Sequence, residues 1–275
     1  MRTLLVCTDF SSHAYHAGRY AIVLATQFNI PNITLFHAYR SFAVATALPP
    51  HPDDESEQLK AINFQLYQQM EDLQSIASQD TKVLVRSEKM SLAENINQLC
   101  EEENAVLVIM GLSGKTGFER GLAGSNMIDV LRNSIYPVCI VPGQSAIASV
   151  THILFTYDNN HAMEPGTLSM LNQTLSLLRA RLTVLHVETE KNNTRGKDEY
   201  VNDPVFRLLD QYDPIYKSIE STNIVESIFH FAANNNVSLI IAMPGNYNFF
   251  EEIIHRSVTQ QLIYQSMVPV LSLHA

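Results

Sequence analysis

Residues 105–126 begin Ala105-Val106-Leu107-Val108-Ile109-Met110-Gly111-Leu112-Ser113-Gly114-Lys115-Thr116-Gly117 and close with Leu122-Ala123-Gly124-Ser125-Asn126. The opening run from Ala105 to Met110 is continuously apolar, as a strand must be when both faces of a parallel sheet are covered. Glycines 111, 114 and 124 follow in the spacing Gly-x2-Gly-x9-Gly-Ser, and a helix is predicted from about Ser125. Strand, glycine-rich loop and helix in that order mark the place where an open parallel sheet sets its ligand crevice.

The same alternation extends outward. Leu4-Leu5-Val6-Cys7 is a short apolar strand, bounded by Asp9-Phe10-Ser11-Ser12, which can cap a helix. Ala14, Ala17, Ala21, Leu24 and Phe28 then recur at helical spacing. Residues 33–37 form the next strand, Leu59, Ile62, Leu66, Met70 and Leu73 a second helix, and residues 82–85 a short third strand. Leu92, Ile96 and Leu99 mark a third helix, and residues 138–141 a last strand. This order predicts an α/β fold with helices on both faces of a parallel sheet.

The second half repeats the programme. Ile153-Leu154-Phe155-Thr156-Tyr157-Asp158 lies 149 positions after residues 4–9, and Thr183-Val184-Leu185-His186 lies 149 after Thr34-Leu35-Phe36-His37. Farther on, Asn236, Glu251, Ser257 and Pro269 lie 132 after Asn104, Glu119, Ser125 and Pro137, so 17 residues are missing between the second and fourth strands of the later copy. Two registers held over separate motifs predict two tandem doubly wound, Rossmann-like domains, each with a mostly parallel five-stranded sheet. Their expected bounds are 1–143 and 151–275.

The loop carries the chemistry. Glycine lets a backbone approach a phosphate without a Cβ clash. A helix start offers free N–H groups and a positive dipole end, with Ser125 as the expected cap and Lys115 as an added charge. Gly114-Lys115-Thr116 imitates the end of a P-loop, but that motif needs glycine at position 109, which is Ile109. A dinucleotide fingerprint would follow the first strand and not the fourth.

The loop pattern after a strand ending in Met-Gly, together with Val6-Cys7-Thr8-Asp9-Phe10-Ser11, Leu35-Phe36-His37 and Pro137-Val138, resembles the universal stress protein family. That resemblance covers nearly the whole chain as two family-like units. It implies ATP or another adenine nucleotide as ligand, with Mg as a candidate companion ion. Thr8, Asp9 and the backbone of Ala38 would hold the adenosine part. Met110, Gly111, Gly114, Gly124, Ser125 and Asn126 would enclose ribose and phosphates, with Lys115 beside them. Position 38 usually carries a larger aliphatic residue in the family. In the second copy Met243, Asn246 and Arg256 replace Gly111, Gly114 and Gly124, so nucleotide is expected in the first domain alone.

The totals exclude other classes. With 275 residues, a formal net charge of −10 and no basic block, nucleic acid and anionic lipid are not expected partners. No apolar stretch reaches membrane-spanning length, so a cytoplasmic address is expected. Cys7, Cys100 and Cys139 are odd in number and form no Cys-x-x-Cys pair, and Cys7 and Cys139, in apolar runs, read as small buried hydrophobes. The histidines show no metal-ligand spacing, and Glu101-Glu102-Glu103 reads as a solvated helix end. His37 and His186 read as a copied structural position. No catalytic residue is named. A nucleotide-binding stress-response or signalling module is expected; the alternatives are a slow ATP hydrolase or ATP-dependent transferase, and a nucleotide-independent interaction protein. The last strands, residues 138–141 and 270–273, are apolar edges expected to pair as an internal pseudo-dimer, with a homodimer as a further association.

Overall fold

A computed structural model of the chain describes residues 2–40, 52–112, 123–156, 163–188, 203–242 and 268–273. Its contacts divide the chain into two compact units, Met1–Ser134 and Ile135–Ala275.

In the first unit, strand β1 (Thr3–Cys7) leads to helix α1 (Ser12–Phe28), and β2 (Asn32–Tyr39) to α2 (Pro52–Ile76). Then come β3 (Lys82–Lys89), α3 (Leu92–Glu103), β4 (Ala105–Leu112) and α4 (Ala123–Asn133). The strands lie in the order β3-β2-β1-β4, and each adjacent pair is parallel. β1 is buried at every residue. That is why its sequence shows no polar alternation.

Helix α1 starts at the expected segment, with a division of labour inside it. The Ser11 hydroxyl accepts from the Ala14 amide and is the N-cap, while Asp9 Oδ1 accepts from the Ser11 amide at 3.0 Å. The helix stops at Asn29, whose left-handed φ of 52° turns its N–H back to the carbonyls of Ala25 and Thr26. Its buried face is rich in alanine, and Gly18 brings it so near α2 that a Cβ there would lie 2.8 Å from Leu73 Cδ1.

β3 runs four residues beyond the expected end, through Arg86-Ser87-Glu88-Lys89. Arg86 explains why a polar tail stays in the sheet: its guanidinium donates to Glu103 and Glu88, each at 2.8 Å, and to Glu102 at 2.6 Å. The glutamates at the end of α3 are therefore not simply a solvated terminus. Glu103 also accepts from the Thr34 hydroxyl at 2.9 Å, and Arg86 holds the Glu102 carboxyl below its usual range.

The second unit contains β5 (Val138–Pro142), β6 (His152–Thr156), α5 (Pro165–Leu178), β7 (Arg181–Glu188) and a six-residue α6 (Pro204–Leu209). After a 3-10 turn at Asp210–Tyr212 it continues with β8 (Ile215–Glu220), α7 (Ile224–Asn234), β9 (Leu239–Ala242) and β10 (Val270–Ser272). The run β10-β9-β6-β7-β8 is parallel throughout. β5 joins β10 antiparallel, with Val270 opposite Ile140, Leu271 opposite Cys139 and Ser272 opposite Val138. The expected first domain extended to residue 143, whereas the contacts count Val138–Pro142 with the second unit.

The strand registers repeat. Leu4 pairs with Ile33 and with Leu107 in the first unit; Ile153 pairs with Leu182 and with Leu239 in the second. These are the residues 149 and 132 positions on. Asn104 and Asn236, 132 apart, both take a left-handed φ of 51°. The shortening falls between β7 and β8, where the short α6 stands in the place of the 25-residue α2.

Candidate functional site

The carboxyl ends of β1, β2 and β4 border a cavity of about 580 Å³ in the first unit. Of the residues expected at the site, Thr8, Asp9, Ala38, Met110, Gly111 and Asn126 all line it. Gly114 and Lys115 lie outside the described residues. Gly124 and Ser125 belong to the first turn of α4, which starts at Ala123. The expected helix began at about Ser125, two residues after this start.

Thr8, Asp9 and Gly111 are each held by specific contacts. The Thr8 hydroxyl donates to Gln69 Oε1 of α2 at 2.9 Å and accepts from the Phe10 amide at 3.0 Å. Its proton is thus committed inside the protein, and Thr8 serves the site by shaping the turn. Asp9 is exposed, with Oδ1 engaged by the Ser11 amide. Gly111 has a packing role. A Cβ on it would overlap the His13 carbonyl and come within 2.8 Å of the Ala14 amide, because the first turn of α1 lies directly on β4.

Phe10 takes a φ of 65°, the left-handed region that a bulky residue pays for with about 1–3 kcal/mol. The hydrogen bond that its N–H donates to the Thr8 hydroxyl and its ring contact with His37, at 4.4 Å between centroids and 32° between planes, hold it there. His37 Nδ1 in turn lies 2.7 Å from the Thr8 carbonyl. The turn after β1 is therefore locked from both β2 and α2.

Several lining residues escaped the sequence reading: His37, Arg40, Met90, Leu92, Met127 and Asp129. Asp129 lies on α4, one turn after Asn126 and Ser125, and helical spacing from those two would have pointed to it. Arg40 lies two residues after Ala38, just past the end of β2, and its backbone carbonyl accepts from Gln58 of α2 at 3.2 Å. Cys7 also lines the cavity, but burial pushes its thiol far above the ordinary range, with the nearby Cys100 adding to the shift. Cys100 and Cys139 are pushed up to about 12 by burial. None of the three has the depressed pKa of a reactive thiol. Among the described residues, no cluster of three or more His, Cys, Asp or Glu could hold a metal ion, and no helix is long and apolar enough to cross a membrane.

Residues 1–142 match the family model described as the universal stress protein family. The chain belongs to the universal stress protein family. A universal stress protein of Methanocaldococcus jannaschii is 26% identical over 142 residues, which are 51% of this chain and 81% of that protein. The fold extends over both halves. A universal stress protein from Archaeoglobus fulgidus superposes on 99% of this chain and 96% of its own with a TM-score of 0.69 at 18% identity. A putative universal stress protein from Pseudomonas aeruginosa covers all of this chain and 93% of its own, with a TM-score of 0.51 at 13% identity. At such identities the two solved structures speak for the fold alone. The second-copy residues Met243, Asn246 and Arg256 lie outside the described residues.

Proposed function

We propose that this universal stress protein binds one adenine nucleotide, ATP or a close relative, in its first domain and uses occupancy of that site in stress response or signalling. One observation carries the reading: a single cavity of about 580 Å³ gathers Thr8, Asp9, Ala38, Met110, Gly111 and Asn126 at the strand ends, next to the start of α4. Pockets for small molecules and cofactors run from about 300 to 1,000 Å³. The first-turn amides of α4, preceded by the glycine loop, suit a phosphate. Asp9 and the Ala38 backbone suit the adenosine end. The donor set favours a nucleotide over a free metal ion, and Mg2+ would enter with the phosphates.

The two domains, 1–143 and 151–275, are read as copies of one ancestral unit, on the repeated registers of Leu4 with Leu107 and Ile153 with Leu239. The glycines of the first loop become Met243, Asn246 and Arg256 in the second, whose side chains would fill the phosphate volume. The second domain is read as a partner surface without ATP, in a soluble cytoplasmic protein whose homodimerisation remains a further step.

Slow hydrolysis is the second reading, and Asp129 is the observation in its favour, since a second carboxylate lines the cavity beside Asp9. Radiolabelled ATP separates the two: stoichiometric retention without phosphate release supports a binding module, and release that Asp129→Asn abolishes supports an ATPase. Failure to retain label at all would remove both.

A further inference from the structure

His37 lines the cavity in a fixed pose. A backbone carbonyl can only accept, so the 2.7 Å contact between Nδ1 and the Thr8 carbonyl requires the hydrogen to be on Nδ1. In the neutral ring this leaves Nε2 as a bare lone pair. The Phe10 ring lies over the imidazole at 4.4 Å and limits its rotation. Among the described residues no hydrogen bond is made to Nε2. The adjacent Ala38, with Met90 and Leu92, also lines the cavity and leaves an apolar space suited to a flat ring.

We propose that His37 reads the base of the bound nucleotide through Nε2, accepting from a 6-amino purine and rejecting a 6-oxo purine. The inference rests on the nucleotide reading of the same cavity. An exocyclic amine offers a hydrogen to the lone pair. An oxo group sets two acceptors against each other and leaves Nε2 unpaired, and sites built on one hydrogen bond discriminate by that penalty. Adenine nucleotides are thereby preferred over hypoxanthine and guanine nucleotides by a group whose tautomer the fold itself sets.

The test compares ATP with ITP, which differ at that position, by calorimetric titration of the full chain and of His37→Phe. Phenylalanine keeps the ring against Phe10 and removes both nitrogens. The wild type is expected to bind ATP on the order of tenfold more tightly than ITP. The variant should lose the preference and bind ATP and ITP about equally. A variant that keeps the full ATP preference, or a wild type that binds both equally, overturns the role of His37 and leaves nucleotide binding standing. A wild type that binds neither overturns the nucleotide reading itself. Should the variant fail to fold, nitrogen NMR of the wild-type imidazole decides: the Nε2 resonance of His37 shifts on adding ATP and not on adding ITP, and an unmoved resonance sinks the proposal.

Discussion

Gly111 of β4 and His13 of α1 meet backbone to backbone, with no room for a side chain between them. Glycine at this point of the loop thus has a packing role that exists before any ligand arrives. Gly111→Ala should destabilise the ligand-free protein by about 1–3 kcal/mol, since α1 or β4 must shift. Chemical denaturation measures this, and an unchanged midpoint would show that the helix start yields freely.

Thr8 ties α2 to the turn after β1. Thr8→Val removes the hydroxyl that donates to Gln69 and accepts from the Phe10 amide. The loss should be about 1–3 kcal/mol, the cost of leaving partly buried partners unpaired. A double-mutant cycle with Gln69→Leu should give a coupling of at least about 0.5 kcal/mol. Additive effects would mean that the two side chains do not act together.

The loop makes a separate claim. Gly124→Arg imports the residue that the second copy carries as Arg256, and should cut nucleotide retention at least tenfold while the unfolding midpoint stays near that of the parent. Retained affinity at full stability would show that the phosphates lie elsewhere.

His152 gives the second unit a pH dependence. It is buried between the Asn235 carbonyl, 3.0 Å from Nδ1, and the Thr183 hydroxyl, 2.8 Å from Nε2. Burial, aided by the Arg181 charge, lowers its pKa below 6.5. The unfolded chain therefore takes up the proton first. Stability is full above about pH 6.5, falls as the pH drops below it, and levels off beneath the folded pKa. Melting curves between pH 8 and pH 5 should show this loss, and His152→Gln should flatten that part of the profile. An identical slope in the variant would assign the loss to other groups.

The fold was legible because apolar runs such as residues 105–110 and 153–155 leave no alternative to buried parallel strands. The registers were legible as well, since a duplicated offset in sequence becomes a duplicated pairing in the sheet. What escaped notice was set by tertiary contact. The tail of β3 looks polar in sequence and stays in the sheet because Arg86 meets three glutamates. β8 is exposed at nearly every residue and offers no apolar run to find. At the cavity, Asp9 and Gly111 stand out by motif. Gln69, far away in sequence, gives no sign that it holds Thr8. Gly111 was expected as a phosphate contact, and its packing against the start of α1 had no sign in the sequence.

The central claim is one adenine nucleotide per chain in the crevice of the first unit. Native mass spectrometry of the freshly purified protein, repeated after equilibration with excess ATP, addresses it most directly. The expected spectrum shows the chain carrying a single adenine nucleotide, and the Gly124→Arg spectrum shows the bare chain. A wild-type spectrum without nucleotide, even from excess ATP, would contradict the account.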